Sequence, residues 1–379
     1  MTNILLTGGR APATLDLARV FHRAGHAVFM AESLRGHLSQ PSKAIKANFV
    51  VPAPRQNRDA FLFALKKIVT ENQIDLLVPT CEEIFHTAMG HESLPLFSEP
   101  IEKLRRFHNK WEFVVQAVEN ELHVPETMLI QNKEDLLHAY AQWRGLVLKP
   151  AYSRFAARTL ILPPLQMALS TLKFTKGQPW VAQQYVEGQA FCTYSVCHKG
   201  RITAHTTYPS HFTAGRGATI VFKHVEHSAI FNWVRSFVSE NQFTGQIAFD
   251  FIETPDGQVT ALECNPRATS GVHLLASHPR FAESFFNPFM DCITPVDDSS
   301  FMLSAAMLLY GLPAALKNGS LKDWRKAYFF SNDVILDFND LLPFILQWRS
   351  VLATRAIAKR EKLSLLEAST FDIEWNGEG

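Results

Sequence analysis

The sequence has no long block of charge of one sign and no apolar run approaching the ~20 residues that span a bilayer. Its 37 Lys and Arg against 36 Asp and Glu leave a formal charge of +1, which disfavours nucleic-acid binding through a phosphate-neutralising stripe. The first residues do not show the basic and apolar segments of a signal peptide. We therefore expect a cytoplasmic protein with neither a membrane nor a nucleic-acid partner.

Cysteine is sparse and shows no pairing pattern. The five cysteines include no C-x-x-C motif, which favours reduced, mostly buried thiols. The histidines between residues 198 and 227 lack regular ligand spacing, so we expect no zinc site there. The chain has 379 residues, of which 47% are hydrophobic, and this length and composition indicate two or three domains.

Residues 1–100 alternate between strand and helix signals, an order typical of a doubly wound parallel sheet. The predicted elements are strands at Asn3–Thr7, Ala27–Ala31, Phe49–Val51 and Leu76–Pro79 and a helix at Phe61–Val69. The Gly8-Gly9 turn lacks the full G-x-G-x-x-G fingerprint, so it predicts tight strand-to-helix packing and no dinucleotide site. Glu82 and Glu83 follow the fourth strand, where they either contact a substrate or begin a helix.

From about residue 101 the signals change to a mixture of helices and strands. The predicted elements are helices at Lys103–Asn120 and Glu134–Trp143 and strands at Leu146–Pro150, Val181–Val186 and Phe191–Val196. The apolar segment Phe301–Leu312 is predicted to be a buried helix or strand of a globular core.

The most informative segment is Asp250–Arg267. Two strand-like runs, Gln246–Glu253 and Gln258–Cys264, flank the tetrapeptide Thr-Pro-Asp-Gly at 254–257. Pro presets φ and Asp-Gly tolerates a positive φ, so the segment predicts a β-hairpin.

Three polar side chains of this hairpin form a candidate metal site. Glu263 and Asn265 are two residues apart on the second strand and share a face, with Cys264 turned towards the core. Asp250 lies on the partner strand. Carboxylate and amide oxygens suit magnesium, which fills its remaining positions with water and substrate phosphates. The pattern indicates a magnesium nucleotide site, and a polar sheet face is the alternative.

Asp250 followed by the pentapeptide Glu-Cys-Asn-Pro-Arg at 263–267 resembles the metal-binding signature of the ATP-grasp superfamily, in its carbamoyl-phosphate synthetase-like, carboxylate–amine ligase version. The resemblance covers roughly residues 105–275. It implies a Rossmann-like domain at 1–100 that precedes the ATP-grasp fold, and a two-lobed ATP-grasp domain at 101–295 with a nucleotide hinge near 183–188. Residues 296–379 match no motif.

The resemblance also implies roles for individual residues. Asp250, Glu263 and Asn265 would hold Mg²⁺, with Mn²⁺ as the alternative ion. The implied nucleotide contacts are Lys110, Lys149, Gln183, Gln184, Tyr185 and Val186. The implied substrate contacts are Arg216, Ser270, Gly271 and His273. Without the resemblance, Lys149 is an ordinary strand-end residue and Lys110 an ordinary helix-surface residue. Arg216 is then a surface residue between glycines.

Arg267 is implied to stabilise the transferred phosphoryl group and the tetrahedral oxyanion, and a structural ion pair with Glu263 is the alternative role. Two features depart from the family's pattern. The family's glycine-rich phosphate loop corresponds here to residues 151–158, which contain no glycine. Arg154 and Arg158 are the cations available in its place, unless they pair with nearby acids. Gln189 replaces the acid that binds the ribose hydroxyls.

The resemblance predicts an ATP-dependent ligase that joins a small carboxylate to an amine through an acyl phosphate. A phosphotransferase of the same superfamily and a nucleotide-binding protein without turnover are the alternatives. The expected cofactors are ATP and Mg²⁺, and a homodimer is compatible with the family.

Overall fold

The structure is a computed structural model that describes residues 1–152, 158–174, 179–214 and 217–377. One four-stranded sheet is parallel and two are antiparallel, and smaller sheets of two and three strands complete the described part. Within these ranges, no helix has the length and apolar character needed to cross a membrane.

The first hundred residues form the predicted doubly wound parallel sheet, with strand order β3-β2-β1-β4. The elements are β1 (Asn3–Thr7), α1 (Pro12–Arg23), β2 (Ala27–Glu32), β3 (Ile45–Val50), α2 (Arg58–Glu71), β4 (Leu76–Val78) and α3 (Glu83–Ala88). Alternate side chains of β1 face opposite sides: Ile4 packs in the cluster that contains α1, and Leu5 in the cluster that contains Phe61 of α2. Helices therefore cover both faces of the sheet.

The single helix predicted over Lys103–Asn120 is wrong. The segment forms α4 (Ile101–His108) and α5 (Lys110–Glu119). Asn109 interrupts the helix with a ψ of 117°, and its side chain accepts from the backbone N–H groups of Trp111 and Glu112. Asparagine is a favoured N-cap because its side-chain oxygen satisfies these otherwise unpaired N–H groups.

The next part of the chain builds an antiparallel sheet with strand order β5-β8-β6-β7. Its elements are β5 (Thr127–Ile130), α6 (Lys133–Gln142), β6 (Leu146–Pro150), β7 (Leu160–Ile161), α7 (Leu165–Thr171) and β8 (Trp180–Gln184). Trp143, Leu148 and Trp180 belong to the buried cluster that joins the helices to this sheet. The strand predicted over Val181–Val186 ends earlier, at Gln184.

A second antiparallel sheet, with strand order β10-β9-β14-β15, carries the predicted hairpin. Its segment contains β9 (Gln189–His198), β10 (Arg201–Pro209), β11 (Thr213–Ala214), β12 (Ala218–Thr219), β13 (Val221–Lys223), α8 (Ser228–Glu240), β14 (Gly245–Glu253), β15 (Val259–Asn265) and α9 (Val272–Leu275). Gly257 closes the turn with a φ of +83°, and its N–H donates to the Thr254 carbonyl at 2.9 Å. The hairpin prediction is confirmed, with strand ends shifted by one residue.

The C-terminal region adds β16 (Ser300–Met302), α10 (Ser304–Ala306), α11 (Leu312–Asn318), α12 (Leu321–Phe330), β17 (Asn332–Asp333), α13 (Leu342–Glu361) and α14 (Leu365–Ala368). Strand β16 pairs with β13 and β17. The prediction of one buried element over Phe301–Leu312 is wrong: the segment changes from strand to helix, and Leu309 is 71% exposed.

Two arginine clusters tie the C-terminal region to the first hundred residues. Arg10, in the turn after β1, pairs with Glu32 and with Asp372. Arg19 of α1 pairs with Asp340 at 3.0 Å. These contacts cross the predicted boundaries at residues 100 and 295, and the division into three domains stays a prediction.

Candidate active site

Two facing carboxylates form the centre of the site. The register of β14 and β15 places Asp250 directly opposite Glu263 on the neighbouring strand. Burial, with the adjacent charge of Glu263, raises the pKa of Asp250 to about 7. Burial also opposes ionisation of Glu263, but the neighbouring lysine charges outweigh it and lower the pKa of Glu263 to about 2.

Two buried lysines supply those charges from two other elements. Lys110 begins α5, and its Nζ lies 3.5 Å from Glu263 Oε2. Lys149 lies on β6, and burial lowers the pKa of its ammonium although the charge of Glu263 opposes that change. Nζ of Lys149 donates to Gln183 Oε1 at 2.9 Å. The structure thus brings predicted nucleotide and metal residues into one electrostatic cluster.

Arg267 lies beside this cluster and is held by two side chains. Its Nε donates to Glu82 Oε1 at 2.8 Å, and its Nη2 donates to Asn265 Oδ1 at 2.9 Å. Burial would lower the pKa of the guanidinium, but the charge and hydrogen bond of Glu82 raise it. The ion-pair partner of Arg267 is therefore Glu82, which lies at the edge of the first sheet. The alternative predicted from the sequence, an ion pair with Glu263, is wrong.

The two acids after β4 have different roles. Glu83 Oε1 accepts from the N–H groups of Thr80 and Cys81 and from the Thr7 hydroxyl, so this side chain closes the turn into α3. Glu82 makes no side-chain cap at the start of α3, and its side chain is fully buried against Arg267. The helix-start interpretation holds for Glu83 alone.

The predicted hinge residues lie at the end of β8. Gln183 is buried and bridges Lys149 to the Thr127 hydroxyl. Gln184 and Tyr185 are exposed, and the Tyr185 N–H donates to the Gly145 carbonyl at 3.0 Å. Val186 is half-buried just beyond the strand. An extended backbone with an aromatic neighbour is the arrangement expected for an adenine contact, and that contact stays a prediction.

Of the predicted substrate residues, His273 is placed differently from the expectation. It is 2% exposed, and its Nδ1 lies 2.7 Å from Asp16 Oδ2 of α1. In this structure it joins α9 to α1, and a substrate contact of His273 stays a prediction. Gly271 meets the large sheet so closely that an added Cβ would lie 2.3 Å from Tyr194 Cβ, which accounts for glycine here. Ser270 is half-buried beside it.

Three predicted arginines are described to different extents. Arg154 and Arg216 lie outside the described residues. Arg158 is exposed, and its charge contributes to lowering the pKa of Glu367 behind the stronger effect of the Ser364 hydrogen bonds. Glu367 is thus an acid near Arg158, as the alternative role requires, and the phosphate role of Arg158 stays a prediction.

No sequence motif predicts two further residues of the site, Cys192 and His108. Cys192 on β9 faces Asp250 across the strand pair, and burial raises the pKa of its thiol. His108 Nε2 lies 3.8 Å from Glu82 Oε2. Strand register and the break at Asn109 create these neighbours, and neither is readable from a local motif.

The donor set fits a hard divalent cation. Within the described ranges, no group of three or more His, Cys, Asp and Glu side chains is arranged to hold a metal. The set on the hairpin consists of two acids and the amide of Asn265. Two adjacent carboxylates, one with its pKa raised to about 7 by burial and by the other, favour a cation between them. The amide oxygen of Asn265 adds a third hard donor.

Comparison with solved structures finds the same fold in several enzymes. N5-carboxyaminoimidazole synthetase from Staphylococcus aureus has a TM-score of 0.66 and 11% identity over 81% of this chain and 84% of that chain. The L-amino acid ligase from Bacillus licheniformis has a TM-score of 0.59 and 16% identity over 70% of this chain and 68% of that chain. The Hydrogenobacter thermophilus biotin carboxylase domain dimer was solved with MgADP, ADP and bicarbonate. It has a TM-score of 0.59 and 12% identity over 74% of this chain and 69% of that chain.

No protein-family model and no curated protein matches the sequence. At identities of 10–16% the structural likeness shows the fold alone. The chain has the ATP-grasp fold of these enzymes, as its hairpin motif predicts.

Proposed function

We propose that the protein is an ATP-dependent ligase that joins a small carboxylate to an amine and releases ADP and phosphate. The observation that carries the proposal is the convergence of Asp250 and Glu263 with Lys110 and Lys149 on one cluster. Opposite charges gathered there suit a magnesium nucleotide. The shared fold with an L-amino acid ligase and with a carboxylase domain solved with MgADP supports it.

In this proposal Asp250, Glu263 and Asn265 hold Mg²⁺. The ion, when bound, neutralises phosphate charge during transfer. Lys149 contacts the nucleotide phosphates from β6, and Gln183 holds its ammonium in place. Lys110 balances Glu263.

The proposed chemistry has two steps. A substrate carboxylate oxygen attacks the γ-phosphorus of ATP while the bond from that phosphorus to the bridging oxygen breaks, and ADP leaves. The amine nitrogen then attacks the acyl carbon, and phosphate leaves with the electrons of the acyl C–O bond while the nitrogen loses a proton. Arg267 stabilises the negative charge that develops in both steps, because Glu82 and Asn265 fix its guanidinium in advance. Arg154 and Arg158 supply further positive charge to the phosphates.

The experiment measures ADP release with Mg-ATP against a panel of carboxylic acids and amines, with mass spectrometry of the products. Ligation requires both an acid and an amine and gives a product heavier than either. A phosphorylated product formed without any amine would identify a phosphotransferase. ATP binding without turnover across the whole panel would favour the nucleotide-binding protein, for which the glycine-free segment at 151–158 is the sequence argument.

A further inference from the structure

The longest helix of the described structure is poorly covered by the rest of the chain. Of the 20 residues of α13, only Pro343 and Ala358 are buried. Its apolar side chains are left exposed: Leu342 is 52%, Ile345 56%, Trp348 54%, Val351 55% and Leu352 54% exposed. Exposed apolar side chains that form one continuous patch mark an interaction surface.

These side chains form a stripe with a regular spacing. Starting at Leu341, the residue before the helix, the apolar positions 341, 345, 348 and 352 are four, three and four residues apart. That is the seam spacing of helices that pack against another helix as a coiled coil. We call these four residues the α13 seam.

The α13 seam continues into basic residues on the same face. The same alternation of three and four residues leads from Leu352 to Arg355 and Lys359, and both are exposed. A helix that lies in a lipid surface keeps its charges on the face opposite its apolar side chains. On α13 the basic residues instead follow the α13 seam along the same face. This face therefore suits packing against another helix better than burial in a membrane surface.

We propose that the α13 seam is the interface of a two-fold homodimer in which two copies of α13 pack antiparallel. A two-fold axis between Leu346 and Gln347 places Leu341 opposite Leu352 and Ile345 opposite Trp348 of the second copy. The seam is therefore complementary to itself, which an isologous interface requires.

The charges agree with this arrangement. The same axis carries Arg355 beyond the apolar seam, towards the segment that precedes α13 in the second copy. That segment holds Phe338, which is 83% exposed, and Asp337, whose carboxylate lies 3.9 Å from Arg19 of its own chain. The guanidinium of Arg355 therefore has the Phe338 ring of the second copy to stack on. A parallel arrangement would instead place the basic ends of the two helices side by side.

Sedimentation velocity of the full chain tests the proposal. We expect a species of twice the 42.8 kDa chain mass for the unchanged protein. Trp348→Glu and Ile345→Lys, tested separately, should each raise the dimer dissociation constant by on the order of thirtyfold or more, as for a central interface residue. Phe63→Glu, which alters an aromatic side chain of α2 that is 71% exposed, is the matched control and should leave the dimer intact.

Mixing the two seam variants tests the antiparallel register. One copy with Ile345→Lys and one with Trp348→Glu would form one Lys–Glu layer and one Trp–Ile layer, so the mixture should recover a heterodimer. Unchanged circular dichroism and thermal midpoints show that each variant is folded. The proposal is overturned if the unchanged chain is a monomer, if neither seam variant weakens the dimer, or if the mixture stays monomeric. Binding of a monomer to phosphatidylserine vesicles through Trp348 would identify a membrane surface instead.

Discussion

Arg267 Nε and Glu82 Oε1 are 2.8 Å apart although 185 residues separate them in the chain. The pair joins the end of the hairpin that carries the candidate metal site to the carboxyl edge of the first parallel sheet. Glu82 is fully buried and Arg267 is 14% exposed. A buried carboxylate that holds a guanidinium in one orientation prepares that cation for charge that develops beside it.

We expect Glu82→Gln to lower kcat by on the order of tenfold or more while KM for ATP changes little, because the orientation of Arg267 matters most in the transition state. Steady-state kinetics with the substrates found in the panel give both constants. Glu83→Gln is the matched control: it removes a buried turn acid and should lower the thermal midpoint without a selective loss of kcat. Normal kcat in Glu82→Gln would show that the ion pair is only structural.

Glu263→Gln should abolish turnover while the fold survives. The substitution removes the charge that pairs with Lys110 and leaves the candidate metal site with one carboxylate instead of two. ADP release over a range of Mg²⁺ concentrations measures the effect, and thermal unfolding checks the fold. Glu253→Gln, at the other end of the same hairpin, should retain activity. A Glu263→Gln protein with ordinary activity is incompatible with the metal site.

Lys149→Ala should weaken ATP binding by about 1.5–3 kcal/mol, the scale of a hydrogen bond to a charged group. Calorimetric titration measures the affinity directly. Lys173→Ala, which alters an exposed lysine just beyond α7, is the control and should bind ATP normally. If the affinity of Lys149→Ala is unchanged, the Lys149–Gln183 contact serves only the packing of β6 on β8.

Asp372→Asn should lower the free energy of unfolding near pH 7 by about 1.5–3 kcal/mol, the scale of a hydrogen bond to a charged group, because it breaks a buried bidentate contact with Arg10 while Glu32 remains. Burial would raise the pKa of Asp372, but the hydrogen bond and charge of Arg10 outweigh it and lower the pKa. The carboxylate therefore stabilises the fold fully above its unfolded pKa of about 3.9, and this contribution is lost as pH falls through the lower folded value.

Denaturant titrations of Asp372→Asn and the unchanged chain at several pH values check this prediction. The difference between the two proteins should be constant near neutrality and shrink below about pH 4. Asp59→Asn is the control, since the Asp59 side chain is 94% exposed and its contact with Arg58 is 3.8 Å long. A difference that grows on acidification would contradict the assignment.

Local patterns predicted the hairpin and the parallel sheet. Alternation along β15 fixed the shared face of Glu263 and Asn265, because side chains of a strand alternate between its faces. The sequence pattern does not indicate the break at Asn109, because charged and aromatic residues run through 103–120 without interruption, although asparagine is a favoured helix N-cap. The burial of His273 depends on Asp16, which is 257 residues away in the chain. A local sequence pattern cannot predict the pairing of two residues so far apart in the chain.

The attachment of Asp372 to Arg10 has a consequence for how the protein is made. The two residues are 362 positions apart, so Arg10 leaves the ribosome long before its second acidic partner exists. At synthesis rates of roughly 5–20 residues per second, this interval is on the order of 20–70 s. During that time Glu32 is the only one of these two acidic partners that has been synthesised, and the pairing of Arg10 is completed when the segment around Asp372 has been made.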